Sequence, residues 1–355
     1  MDKVKKYPII QALLAALLFG ASSPFAKILL GDVAPVPLAA FLYLGSGIGL
    51  FIYQTIMFRG KNEDLKEAPL SQKDILWLIG AVVFGGVMAP IISMTSLKVT
   101  PASTASLLLN FEGIATTLIA VMFFKEGITK RMWIAILCIT SASILLSWDF
   151  SNQWGISLGA LGILGACVCW GIDNNFTRNI SAKNPFTIVI IKGLGAGSFS
   201  LLIGYFIHSP FPDIITIIKA MILGCFSYGV SLVLFVLAMR SLGSARTSTF
   251  FGTAPFIGAI LSFVLFREAP GIMFFVSLPI MIIGTLLLFK EDHAHKHKHE
   301  HIVHEHRHSH SDSHHEHSHV LGEIPMDGYH SHVHEHKEME HEHSHTPDIH
   351  HRHSH

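Results

Sequence analysis

Along its first 290 residues the chain passes from one long apolar run to the next with short polar breaks between them. The runs fall at about 8–30, 36–58, 74–97, 101–124, 131–148, 156–180, 186–208, 214–240, 244–266 and 271–289. Most reach the roughly 20 residues that a helix needs to cross a hydrocarbon layer of about 30 Å. Backbone polar groups cannot go unpaired in lipid, so spans of this kind are predicted to be helices. The runs do not alternate between polar and apolar residues over ~10-residue segments, which excludes a strand barrel. The first run is too long for the core of a cleaved leader, and the small residues Gly20 to Ser23 are followed by Pro24, Phe25 and more apolar chain. The fold class expected is therefore all-α and integral to the membrane, with ten transmembrane helices.

Charge divides the chain in two. Half of all residues are apolar and 14% are charged, well below the usual quarter of a soluble domain. The net charge of zero is the sum of a body, residues 1–290, carrying +8 and a tail, residues 291–355, carrying −8. Within the body the basic residues are one-sided. Fourteen Lys and Arg, from Lys3 to Arg246, fall in the segments on one side of the spans, and Lys27, Lys98, Lys219 and Arg267 fall on the other. Basic segments stay cytoplasmic, which predicts that both termini face the cytoplasm, in a cell (inner) membrane. Cys138, Cys167, Cys169 and Cys225 all lie within spans and read as small buried hydrophobes.

The body also repeats. Residues 97–126 align without a gap with residues 239–268, pairing Lys98 with Arg240, Ser106 with Ser248, Phe124 with Phe266, Lys125 with Arg267 and Glu126 with Glu268. Phe19-Gly20, Phe25 and Lys27 likewise match Trp170-Gly171, Phe176 and Arg178. Five spans per repeat is an odd number, so the second half enters the membrane from the opposite side. Secondary transporters use this plan, with the substrate site near the midplane between the halves; the competing reading is an old duplication kept for packing. The expected units are residues 1–148, residues 149–290 and the tail at 291–355. The run from Ser96 to Ser103, followed by an apolar helix ending Phe124-Lys125-Glu126 and by its echo before Arg267-Glu268, resembles the repeat signature of EamA-type transporters of the drug/metabolite transporter superfamily. That resemblance implies ten helices as two inverted five-helix repeats around a central cavity, and gradient-driven transport of small metabolites. Pro255 matches the family's Pro in the fourth span of a repeat, whereas the first repeat has Glu112-Gly113 there. Asn110-Phe111-Glu112-Gly113, Trp170 to Asn175 and the His-rich end together resemble one subgroup of these transporters.

Polar groups inside the spans are the candidate site. Glu112 lies near the middle of its span, where an ionised carboxylate costs at least ~2.5–3.5 kcal/mol and must face a cavity or a partner. It reads as a proton- or cation-coupling group, or as a helix-to-helix hydrogen bond. Asp173, Asn174 and Asn175 follow in the sixth span, with Lys192 at similar depth on the next helix and placed to pair with Asp173. They read as solute lining, or as an interhelical clamp. Asn110 is two residues from Glu112 and so on another helix face. Lys27 and its mate Arg178 read as snorkelling anchors near opposite membrane faces. Pro24, Pro90, Pro255 and Pro279 are expected to kink their helices, with Gly85-Gly86 close to Pro90, while Pro101 starts one.

The tail carries 24 of the 25 His. His293, His295, His297, His299 and His301 alternate strictly with other residues. His304, His306, His308 and His310 repeat the alternation, as do His330, His332, His334 and His336, then His341, His343 and His345, then His351, His353 and His355. Such a composition cannot build a packed core and predicts a disordered cytoplasmic tail in the absence of metal. Imidazoles suit divalent transition metals, here Zn, Ni, Co or Cu, as a multi-ligand binder rather than a closed structural site. No cofactor is required. A transition-metal permease regulated by its tail is one rival reading, and a membrane-anchored metal sensor or store that moves nothing is another. Against the permease, the body has one His, His208, and an oxygen-rich polar set that suits Zn or Ni less than imidazole. No Gly-x4-Gly-Lys-Ser/Thr loop and no nucleophile–base set is present, which argues against a self-contained ATP-driven pump and against an enzyme. The expected partners are the lipid bilayer and a small-molecule or ion substrate, with a homodimer as candidate assembly and no nucleic acid.

Overall fold

The computed structural model describes residues 6–57, 70–124, 129–148, 157–180, 183–242, 247, 250–267, 270–289, 294–299, 302–309, 329–336 and 339–344. Seven helices among these are long and apolar enough to cross a membrane: α1 (Tyr7–Leu29), α2 (Pro35–Ile56), α3 (Gln72–Val99), α4 (Ala102–Phe123), α5 (Lys130–Ser147), α7 (Pro185–Phe206) and α8 (Ile214–Ala238). Between them α6 (Leu158–Asn179) has the same 22-residue length as α7 but carries Asp173, Asn174, Asn175 and Arg178 in its last two turns. Two shorter apolar helices follow, α9 (Ala254–Phe266) and α10 (Ile272–Leu287). These bounds lie within about two residues of the expected ones except at α9, where residues 243–246 and 248–249 lie outside the description.

Helix starts are set by side chains that take up orphaned N–H groups. Thr129 accepts from Met132 N, Ser157 from Ala160 N, Asn184 from Phe186 and Thr187 N, and Asp213 from Ile215 and Thr216 N. Pro101 caps α4, as its fixed φ and missing N–H allow.

Several spans are interrupted. α1 breaks at Ala21, just before Pro24. α4 is two helices, Ala102–Leu108 and Phe111–Phe124, with a turn at Leu109 and Asn110. Ahead of α9, Phe250 and Phe251 are helical, Gly252 and Thr253 turn, and the helix restarts at Ala254. α3 and α8 each contain a π-helical stretch, Val82–Met88 and Cys225–Val230, and these too lie about 142 residues apart. Pro255 sits at the start of the segment after an interruption, where no helical donor is lost, whereas Pro90 follows a π-helical stretch that runs on unbroken and removes one donor there.

Packing between the halves is reciprocal. α1 lies against α8 and α9, and α6 lies against α3 and α4; α2 packs on α7, α4 on α9 and α5 on α10. The α2–α7 crossing is backbone to backbone. A Cβ at Gly47 would lie 2.7 Å from Leu194 N, and one at Gly193 would lie 2.6 Å from Gly47 N. The repeat mates Gly20 and Gly171 each meet the fourth span of the other half, Gly20 at Ala254 and Gly171 at Ala115 and Thr116. The main core collects Leu29, Leu38, Leu42, Leu97, Leu107, Leu108, Ile114, Ile139, Ile163 and Met281, while the exposed apolar residues, among them Phe51, Leu76, Phe123, Leu158, Val264 and Ile272, lie on the spans' outer faces, where lipid satisfies them.

In the tail the structure departs from the expected disorder over four stretches. β1 (Ala294–His299) pairs antiparallel with β4 (Met339–Ser344), and β2 (Ile302–Ser309) with β3 (Tyr329–His336). Strict two-residue alternation is the period of a strand, which accounts for the difference.

Candidate functional site at the centre of the helix bundle

The site begins with a carbonyl that its own helix cannot satisfy. In the π-helical stretch of α3, Ala89 N–H donates to Phe84 O. The next residue is Pro90, which has no N–H to give to Gly85 O. A buried carbonyl must find another donor, and this one finds two from other helices. Tyr43 Oη of α2 donates at 2.7 Å and Trp170 Nε1 of α6 at 3.1 Å. Gly85 also makes room for Asp173. Any Cβ at position 85 would overlap that carboxyl group.

Asp173 is buried, its side chain only 4% exposed, and Lys192 Nζ of α7 donates to both of its oxygens, 2.7 Å to Oδ1. Thr177 Oγ1 adds a third bond at 3.0 Å to Oδ1. The expected pair is therefore present, and it ties α6 to α7 across the Gly85 backbone of α3.

One residue on, Asn174 leaves the packed interior and is solvent-exposed although it lies inside the helix. Its Nδ2 donates to Glu112 Oε1 at 2.9 Å and to Thr116 Oγ1 at 3.1 Å. Glu112 stands in the first turn of the second half of α4, just past the break. The positive end of that half-helix faces the carboxylate. Thus Glu112, Asn174, Asp173 and Lys192 form one group, with Asn174 the member open to solvent.

The other expected residues play structural parts here. Asn175 Nδ2 donates to Thr116 O at 3.0 Å and to Gly171 O at 2.8 Å, clamping α6 to α4. Asn110 points away from Glu112. Its Nδ2 donates to Leu107 O at 3.0 Å and its Oδ1 accepts from Thr285 Oγ1 of α10 at 3.3 Å, which satisfies the break in α4. Lys27, read from sequence as a snorkelling anchor, donates to Leu97, Lys98 and Thr100 carbonyls at 2.6, 2.9 and 2.9 Å and so caps the end of α3. The candidate metal residues from His295 to His343 that are described lie on the tail strands, while His293, His301, His310, His345, His351, His353 and His355 fall outside the described residues.

Sequence reasoning missed the aromatic side of the site. Tyr43 is buried and its ring lies 5.6 Å from that of Tyr228, which sits in the π-helical stretch of α8. Tyr228 is in turn packed edge-on against Phe19 at 6.0 Å. Phe19 and Trp170 are repeat mates, and each touches the π-helical stretch of the other half.

Comparison with known proteins agrees with this architecture. The EamA-like transporter family model matches residues 6–148 and 157–290. The chain belongs to the EamA-like transporter family. It is 28% identical over 294 residues to an uncharacterized transporter of Methanothermobacter thermautotrophicus, covering 79% of this chain and 85% of that protein. One solved crystal structure superposes with a TM-score of 0.56 at 18% identity, over 78% of this chain and 95% of the solved one; at that identity the likeness speaks for the fold alone. As an EamA protein the chain is an integral membrane protein of a transporter family, in contact with the bilayer and with a small solute.

Proposed function

We propose that this EamA protein is a secondary active transporter built as ten membrane helices in two inverted five-helix halves, with Glu112 as its coupling group and Asn174, Asp173 and Lys192 as supporting lining. The carrying observation is the Glu112–Asn174 contact. A carboxylate just past the break of α4 meets an exposed polar side chain of α6. Reciprocal packing of the halves, matching interruptions in the third and fourth spans and a family match over two successive segments all support the inverted plan. Breaks in helices at midplane depth are where transporters of this plan hold solutes and ions. The one-sided distribution of Lys and Arg supports an orientation with both termini in the cytoplasm.

The test is solute uptake into proteoliposomes under an imposed pH gradient, with exchange of a cell extract as the solute source. Wild-type protein is expected to accumulate at least one solute in response to the gradient, and Glu112→Gln to lose that response while remaining monodisperse. Equal gradient dependence in Glu112→Gln sinks the coupling role.

For the tail we propose divalent transition-metal binding as an accessory function. The strand register sets His opposite His at His295–His343, His297–His341, His304–His334, His306–His332 and His308–His330. A permease for the same metals has less support, since the body has one His, His208, and an otherwise oxygen-rich polar set. Cell-associated Zn, Ni, Co and Cu, compared between the full chain and a form ending at residue 290, separates a tail that stores metal from a body that moves it.

A further inference from the structure

We propose that the tail binds metal between its strands, one divalent transition-metal ion per ladder, each held by two consecutive opposed His pairs: His304–His334 with His306–His332 on β2–β3, and His295–His343 with His297–His341 on β1–β4. This rests on the metal-binding reading of the tail and names its ligands. Register is the first argument. In an antiparallel ladder directly opposed residues share a face, and so do residues two apart on one strand. His304, His306 and His308 therefore share one face of β2–β3 with their partners His334, His332 and His330. On β1–β4, His295 and His297 share a face with His343 and His341. Opposed Cα atoms stand about 4.5–5.5 Å apart, and residues two apart on a strand about 6.8 Å. Two consecutive pairs thus place four imidazole-bearing residues at the corners of a small rectangle. One ion with metal–nitrogen bonds of about 2.0–2.1 Å can bridge that spacing.

The rest of each ladder is the second argument. On the other face of β1–β4 the register sets Lys296 opposite Glu342 and Lys298 opposite Glu340, opposite charges that favour this pairing. A slip of one residue sets those lysines opposite histidines instead. β2–β3 has no such charge pairs. Its other face sets Val303 opposite Glu335, Glu305 opposite Val333, Arg307 opposite Ser331 and Ser309 opposite Tyr329. Each ladder is a two-stranded sheet, and a two-stranded ribbon alone is marginal in water. The strands of β2–β3 are also joined through residues 310–328, a long connection whose closure costs entropy. Cross-strand ligation supplies what the ribbon lacks, because an ion that binds only the paired form stabilises the pairing by its own binding free energy.

Full-length protein, purified in detergent and stripped of metal, is titrated with Co2+, and Zn2+ is then used to displace it. Four-coordinate Co2+ absorbs far more strongly in the visible than six-coordinate Co2+, so the spectrum reads the ligand set. The full chain is expected to hold one four-coordinate Co2+ per ladder, and a form ending at residue 290 none. His304→Ala, His306→Ala, His332→Ala and His334→Ala together should remove the β2–β3 site and leave the other. His332→Ala with His334→Ala, which keeps both histidines of the facing strand, should weaken the same site by about tenfold or more. A control with His314→Ala, His315→Ala, His317→Ala and His319→Ala, positions outside the described residues, loses as many imidazoles as the fourfold variant and should keep both sites. Equal losses in the control and the fourfold variant overturn the cross-strand sites and leave the tail a metal binder. Undiminished binding in the His332→Ala, His334→Ala variant means chelation along one strand and overturns them likewise, as does Co2+ bound with six-coordinate absorption alone. If the full chain binds no more Co2+ than the form ending at residue 290, the metal-binding reading itself fails and the cross-strand sites fall with it.

Discussion

At Asp173 three requirements meet in one side chain: the absence of a Cβ at Gly85, the reach of Lys192 from α7, and the hydroxyl of Thr177 one turn away. Removing Lys192 alone leaves a carboxylate buried with no counter-charge. Lys192→Met is therefore expected to lower stability by roughly 3–5 kcal/mol, and the double change Asp173→Asn with Lys192→Met to recover most of that loss. Denaturant titration in detergent reads both; equal losses in the single and double variants disprove the pairing. At the surface, Asp213 accepts from Thr216 N–H, the Thr216 hydroxyl and Ile215 N–H, which holds its carboxyl below the usual range. A group with a depressed folded-state pKa contributes stability above its unfolded pKa and loses it as pH falls through the lower folded value. Asp213→Ala should thus lower the thermal midpoint at neutral pH, with the difference from wild type closing in acid. Glu112, Asp173 and Lys192 were legible in the sequence because charge inside an apolar run has few explanations. Tyr43, Trp170 and Tyr228 were not, since an aromatic residue facing a site and one facing lipid leave the same mark in an apolar span.

Among elements, the spans were legible and their interruptions only partly so. Hydropathy counts apolar residues, and it does so equally well whether the backbone bonds run four or five residues apart. Pro90 and the Gly85-Gly86 pair predict a bend. They do not say that the bend takes the form of a π-helical stretch, nor which carbonyl is orphaned. The structure supplies that link, and it can be tested. Pro90→Ala adds an N–H beside Gly85 O, in competition with the donors Tyr43 and Trp170. The indole bond should weaken, and Trp170 emission should shift relative to wild type in a background where the other tryptophans are replaced by Phe. An unchanged spectrum means that Pro90 does not create the free carbonyl. The tail shows the opposite balance: its composition argued against a core, while its two-residue alternation, visible in the same letters, is what the paired strands use.

For the whole molecule, the duplicated pattern at residues 97–126 and 239–268 gives no sign of how the two segments matched by the family model pack on each other. α6 packs on the third and fourth spans of the other half, and α1 does the same while Lys27 also ties its end to α3. Contacts at that sequence separation have no local signature. The α2–α7 crossing depends most on this exchange, because Gly47 and Gly193 touch through backbone atoms that no rotamer change can move aside. Gly47→Leu is expected to cost the monodisperse peak in size-exclusion chromatography, and Gly204→Leu, where the nearest atoms are side chains of Pro37 and Val36 at 3.7 Å, to be tolerated. Equal behaviour of the two argues against a backbone-limited crossing.

The shared carbonyl of Gly85 has a consequence for timing. Tyr43 comes from α2 and Trp170 from α6, so separating either helix from α3 removes a donor, and separating both strands a bare C=O in a medium without water. Leaving such a group unsatisfied costs on the order of 1–3 kcal/mol, which by itself slows a rearrangement by about 5- to 160-fold. A single oxygen atom thereby acts as a brake on how fast the centre of the bundle changes shape. The brake releases in two stages, one helix at a time.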